Sequence, residues 1–256
     1  MVGHVTAPAA ALADRLPDWV TLVRAPNPGP MTLDGTNTWV LRVPGYERSV
    51  VIDPGPLDEG HLRAVAATGP VGAVLATHGH PDHVEGLERF VELTGASDDT
   101  SGLAIISVPA PGHTADSVCF LVEADGERVI FTGDTILGRG TTVVAWPDGN
   151  LGDYLTSLQA LTGYEGVPAL PGHGPALADC AAAARFYLAH RRARLDQVRQ
   201  AISEGAQSAQ EVVAKVYADV DPSLWPAAEW SVRAQLAYLG HDGGESTSGS
   251  VWLDSP

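Results

Sequence analysis

The chain has 256 residues, 45% hydrophobic and 18% charged, enough for one large α/β domain with a sizeable core, alone or with a small appendage. Its 31 acidic and 15 basic residues give a formal net charge of −16, which argues against an extended nucleic-acid footprint. No apolar run approaches the ~20 residues of a membrane span, no basic region precedes the N-terminal alanines, and Cys119 and Cys180 form no metal or disulfide spacing; the expectation is a cytoplasmic protein without a membrane partner.

In chain order, β-rich runs fall at 38–43, 49–55, 71–78, 104–110, 117–124 and 128–134, with helical patterns near 58–68, 83–95, 153–162 and 179–203. This alternation predicts a sheet flanked by helices, an α/β class. The tetrapeptide "ADGE" at 124–127 predicts a hairpin, so the sheet is mixed. Beyond "PGHGPAL" (171–177) the chain turns alanine-rich and helical. Ser208-x-x-Glu211 reads as a capping box, and "LWPAAEWSVRAQLAYLG" (224–240) as a further helix. The reading is a catalytic domain over 1–178 and a small winged-helix-like region over 179–256. No Ser/Gly-rich spacer separates them, so the second is expected to pack on the first. The tail after 240 reads mostly as loop, with room for a short wing strand. Of the 15 basic residues, seven lie in 185–240 beside six acids, which leaves that segment near neutral and the rest strongly acidic.

The chemistry concentrates in "ATHGHPDHVEG" (76–86), where His78, His80, Asp82 and His83 lie between an apolar run and a helix. His113, Asp134 and His173 each follow another apolar run, beside glycine or proline. In open α/β sheets ligands gather at strand ends. A histidine-rich polar turn would leave several buried imidazoles in search of partners, so a site for two metals is the better account.

"THGHPDH" (77–83), followed by the separate His113, Asp134 and His173, resembles the metallo-β-lactamase superfamily, whose signature is Thr-His-x-His-x-Asp-His with later His, Asp and His ligands. "NPGPMTLDGTNTWVL" (27–41), "GDTILGRGTTVV" (133–144) and the C-terminal helices are similar to the subgroup called β-lactamase-like protein 2. The resemblance implies an αββα sandwich with two zinc ions in a shallow groove and a hydroxide shared between them. It implies that His78, His80 and His113 hold one ion, that Asp82, His83 and His173 hold the other, and that Asp134 bridges both, with Asp82 and Asp134 as the catalytic carboxylates. Asp53, in "VIDPG", is expected to orient a ligand histidine, or else to form a turn. Asn37, Thr141 and Thr142 are expected to approach the groove. Arg191 and Arg194, three apart on a helix, are expected to grip an anionic substrate, against the plainer reading of a solvated helix face. The resemblance also marks a departure. His83 and His113 are only thirty positions apart, shorter than is usual by about a pair of short strands, which puts the pocket wall and one sheet edge in question.

Three functions compete. A phosphodiesterase on single-stranded RNA comes first, by resemblance to the subgroup. A thioester hydrolase like glyoxalase II or the acyl-carrier thioesterases comes second. A non-enzymatic winged-helix binding module is disfavoured by the complete donor set, and true β-lactam hydrolysis ranks last.

Overall fold

The computed structural model describes residues 11–12, 16–100 and 102–241. Two four-stranded sheets carry the fold. The first takes β1 (Val20–Arg24), β2 (Asn37–Leu41), β3 (Ser49–Ile52) and β4 (Val71–Leu75) in that order, antiparallel except for the parallel β3–β4 pair. The second takes β5 (Ile105–Pro109), β6 (Val118–Ala124), β7 (Glu127–Gly133) and β8 (Ala169–Pro171), and its β7–β8 pair is again the parallel one.

Side chains alternate along the central strands as a period of two requires. Trp39, Leu41, Val50 and Ile52 face Phe120, Val122, Val129 and Phe131 across the gap between the sheets. Trp39 and Phe131 meet edge to face with ring centroids 5.9 Å apart. The intervening Val40 and Val51 point outward, under Leu62 and Val65 of α1 (Glu59–Ala66) and Phe90 of α3 (Leu87–Thr94). On the far side, Cys119, Leu121 and Ile130 are covered by Tyr154 and Leu158 of α4 (Leu151–Leu161) and by α5 (Cys180–Ser203). Burial on both faces explains why these strands read as continuous apolar runs. The result is the αββα sandwich that the resemblance implied, with two mixed sheets where the strand pattern alone suggested one.

The 124–127 hairpin forms as predicted: Asp125 and Gly126 both have positive φ (51° and 76°), the conformation that fits two-residue turns to strand twist. The helix expected over 83–95 is instead two pieces, α2 (Pro81–Val84) and α3, broken at Gly86. A β-carbon there would stand 2.7 Å from the Pro56 carbonyl oxygen and 2.8 Å from Leu62, and the Gly86 N–H donates to the Gly55 carbonyl. The break lets α2 lie against the Asp53–Gly55 loop. β1 had not been expected, since its half-exposed "VTLVR" offers little apolar signal.

The C-terminal unit adds α6 (Ala209–Val216), capped by the Ser208 hydroxyl at the Glu211 N–H as foreseen, and α7 (Trp225–Tyr238). Its core of Val212, Val213, Val232 and Leu236 closes against Val198 and Ala201 of α5. Earlier in the same helix, Cys180, Ala184, Tyr187 and Leu195 belong to the core of the second sheet. α5 therefore serves both units, and no linker separates them. The expected wing strand lies outside the described residues. Among the described residues, no helix is long and apolar enough to cross a membrane.

Candidate metal centre

The site is built at the C-terminal ends of the two parallel strand pairs, with His113 reaching it from beyond the edge strand β5. Asp53 follows β3 and His78 follows β4; Asp134 follows β7 and His173 follows β8. Side-chain donor atoms gather in two groups: His78, His80, His113 and Asp134 in one, Asp82, His83 and His173 in the other. In the second group the three separations are 3.1 Å (His173 Nε2 to Asp82 Oδ2), 3.4 Å (His83 Nε2 to Asp82 Oδ2) and 3.3 Å (His83 Nε2 to His173 Nε2). Donors about 2.0–2.1 Å from a tetrahedral cation stand about 3.3 Å from one another, so this triangle fits one ion. In the first group His80 Nδ1 lies 2.9 Å from His78 Nε2 and 3.1 Å from His113 Nε2. Asp134 joins the two: Oδ2 is 3.7 Å from His113 Nε2 and 3.4 Å from His173 Nε2, and Oδ1 is 3.5 Å from His83 Nε2. Its Oδ1 is buried without a hydrogen-bond partner among the described residues, a state a cation relieves. Gly172 leaves the room: a β-carbon there would come within 2.6 Å of both Asp134 Oδ1 and the His83 ring.

The outer ring nitrogens are committed, which turns lone pairs inward. His113 Nδ1 donates to the Val143 carbonyl at 2.7 Å, and His173 Nδ1 approaches the Gly35 carbonyl at 3.3 Å. Asp53 organises a histidine of each group. Its Oδ2 accepts from His83 Nδ1 at 2.9 Å and from the Thr77 hydroxyl at 2.7 Å, and its Oδ1 accepts from the Thr77 N–H at 2.7 Å. With that hydroxyl proton spent on Asp53, Thr77 Oγ1 accepts from His78 Nδ1 at 3.1 Å. Asp53 holds φ at +54°, a left-handed conformation kept by the contacts around it.

Burial acts against charge on His78, His83, His113, His173, Asp82 and Asp134. It takes His78 down to about 2, assisted by His83, and lowers His113 as well. His83 and His173 resist burial: Asp53 and Asp134 lift His83 to about 9, and hydrogen bonds to Asp134 and Asp82 lift His173 to about 10. Burial likewise opposes the ionised carboxylates, yet hydrogen bonding to His173 takes Asp82 down to about 2, and the charges of His83 and His173 hold Asp134 well below its usual range. The site is thus built around ionised carboxylates that call for positive charge, which divalent cations supply.

The description "Metallo-beta-lactamase superfamily" matches residues 31–100 and 97–173, and a Caenorhabditis elegans protein named "Beta-lactamase-like protein 2 homolog" is 31% identical over 264 residues, covering 90% of this chain and 87% of its own. The chain belongs to the metallo-β-lactamase superfamily. It is a metal-dependent hydrolase by that membership, with a β-lactamase-associated winged helix matched over 208–244. An "Atrochrysone carboxyl ACP thioesterase" of Aspergillus chevalieri is 32% identical over 240 residues, 80% of this chain and 75% of its own. A β-lactamase domain protein from Burkholderia ambifaria shares the fold, with a TM-score of 0.74 at 22% identity over 92% of each chain.

Within this superfamily frame several sequence expectations need correction. Asn37 is fully buried; its Nδ2 donates to the Pro171 and Gly174 carbonyls, so it clamps the loop that carries His173 and does not face the groove. Thr142 is buried behind His113, with its hydroxyl 3.2 Å from Nδ1; Thr141 is half-buried. Arg191 is buried and donates to the Thr142 carbonyl, and Arg194 lies over the Tyr217 ring and donates to the Val216 carbonyl. Neither offers its guanidinium to an anion in the groove. The exposed arginines of α5 are Arg185, Arg192 and Arg199, and Arg192 and Arg199 line a groove against α4 and α7. Roles went unassigned for Thr77, for Gly172 and for Thr36, whose hydroxyl donates to Asp82 Oδ2 at 3.2 Å. The two superfamily matches meet at 97–100, where the short connection had been noted. There Ala73 of β4 bridges to Asp98 and β5 is left as an edge strand with Ile106 exposed.

Proposed function

We propose that the protein is a binuclear zinc hydrolase of small acyl thioesters. The observation that carries the hydrolase reading is the convergence of seven donors in two groups joined at Asp134. Imidazole and carboxylate donors without thiolate suit zinc. Two such ions supply a water acidic enough to ionise near neutral pH and Lewis acidity for the developing oxyanion. His78, His80 and His113 would hold one ion, His83, His173 and Asp82 the other, and Asp134, which stands between the two groups, would serve both. Asp82 is the more open carboxylate, its side chain 28% exposed against 10% for Asp134. Its Oδ2 is engaged by His173 and Thr36, so in this reading Oδ1 is the oxygen assigned to take a proton from entering water.

The thioester class is favoured by the thioesterase relative and by the loops beside the ligands. The loops that bring Thr36 to Asp82 and Val143 to His113 also carry the exposed apolar side chains of Met31 and Trp146, and Arg139, the one arginine between Asp134 and Asn150, is paired with Asp34. An apolar acyl group suits such surroundings better than a polyanion. Phosphodiester cleavage in single-stranded RNA is the second reading, favoured by the winged-helix match and by the exposed Arg192 and Arg199. Zinc-loaded protein should be given a short-chain acyl thioester, a single-stranded oligoribonucleotide and an activated phosphodiester side by side. Thioester turnover exceeding the others is the expected result. RNA cleavage without thioester turnover would reverse the order, and loss of neither activity on chelation would end the metal reading.

A further inference from the structure

We propose that Arg191 is a positioning residue for the metal centre, acting from the C-terminal helix through the loop that holds His113. The inference rests on the binuclear reading above. Arg191 is 4% exposed, and no carboxylate pairs with it among the described residues. A buried guanidinium without a counter-ion is costly unless its donors are used. One use is fixed: Nη2 donates to the Thr142 carbonyl. That contact holds the backbone at the point where two successive residues meet His113 Nδ1, the Thr142 hydroxyl at 3.2 Å and the Val143 carbonyl at 2.7 Å. These acceptors fix the ring so that Nε2 reaches His80 and Asp134.

A second path starts at the same side chain. The Arg191 guanidinium carbon lies 5.1 Å from the centre of the Tyr154 ring, and the Tyr154 hydroxyl donates to the Thr135 carbonyl at 2.7 Å, one residue beyond Asp134. Both donors that the second sheet gives to the first group, His113 and Asp134, are therefore braced from one residue of α5. His83 and His78 are braced elsewhere, by Asp53 and Thr77. The brace bears twice on the group of His78, His80 and His113, and on the other group only through the shared Asp134.

Arg191→Met keeps most of the volume and removes the donors. Zinc titration against a chromophoric chelator should show two equivalents in the wild type. In the variant the equivalent held by His78, His80 and His113 should weaken by about 10–100-fold, the scale typical of residues that hold a metal ligand in place, and the other, which shares only Asp134, should weaken clearly less. The ¹⁵N spectrum of the metal-free protein should show His113 losing its fixed Nδ1–H while His83 keeps its own. Arg191→Lys should recover part of the affinity. If Arg191→Met does not fold, Arg191→Gln, which keeps a donor but not the full guanidinium reach, reads the same path and should give a smaller loss of the same equivalent. Two undisturbed equivalents, or equal weakening of both in step with the melting of the metal-free protein, would overturn the inference. A wild type that fails to take two equivalents would instead overturn the binuclear reading beneath it.

Discussion

A carboxylate that touches no substrate can decide whether a metal site exists, and Asp53 is in that position. Its two oxygens serve His83 directly and His78 through Thr77. Asn tolerates the left-handed backbone nearly as well as Asp. Asp53→Asn should therefore fold, and lose about 10–100-fold in metal affinity, measured by chelator competition; unchanged affinity would mean that the histidines need no such anchor. The donors themselves were legible in sequence because each is a polar group set beside glycine or proline at the end of an apolar run. Asn37, Thr142 and Arg191 were not. Whether such a side chain faces the groove depends on partners far along the chain: Asn37 on Pro171 and Gly174, Arg191 on Thr142. No local spacing encodes that choice: resemblance turned Asn37 and Thr142 toward the groove, and the clustering of arginines on one helix did the same for Arg191.

At the level of elements, α5 carries more than its composition announces. Its sequence "CAAAARFYLAHRRARLDQVRQAIS" signals a helix but not that the first half completes the core of the second sheet and the second half that of the C-terminal unit. Alanines at 181, 183 and 184 allow the close approach, and they carry no pattern that names a partner. Tyr187 fixes the approach, accepting at its hydroxyl from the Leu137 N–H at 3.0 Å in a fully buried contact, in the loop between Asp134 and Thr142. Tyr187→Phe leaves that N–H unsatisfied, and should cost about 1–3 kcal/mol by urea unfolding of the metal-free protein. A loss under a few tenths of a kcal/mol would mean that water replaces the hydroxyl. The strands missed or shortened in sequence have an equally local cause. β8 is three residues long, and β1 is a half-exposed edge, so neither offers a full alternating period.

Across the molecule, the strongly acidic charge and the two donor groups act together. Removing cations leaves Asp82 and Asp134 among the partners of two buried histidines in a chain of formal net charge −16. Ligand linkage stabilises the native state by about 4 kcal/mol at a thousandfold excess over Kd, and for a chain of this size that corresponds to roughly 8–16 °C in melting temperature. Exhaustive chelation should lower the thermal midpoint by that order, and zinc should restore it. A midpoint indifferent to chelation would show that the cavity is stable without ions.

The two sheets repeat one plan, two antiparallel neighbours and then a parallel pair, and each is drawn from its own half of the sequence. Every donor before residue 100 comes from the first half and every donor after it from the second, and both groups mix the two: His78 and His80 with His113 and Asp134, Asp82 and His83 with His173. Each cation would then be a clasp between the two halves, which must dock before either clasp can shut. Clasps closed after docking are absent from the transition state, so they slow opening without hastening assembly. Bound ions would then set how long the sandwich lasts, while the chain alone sets its shape.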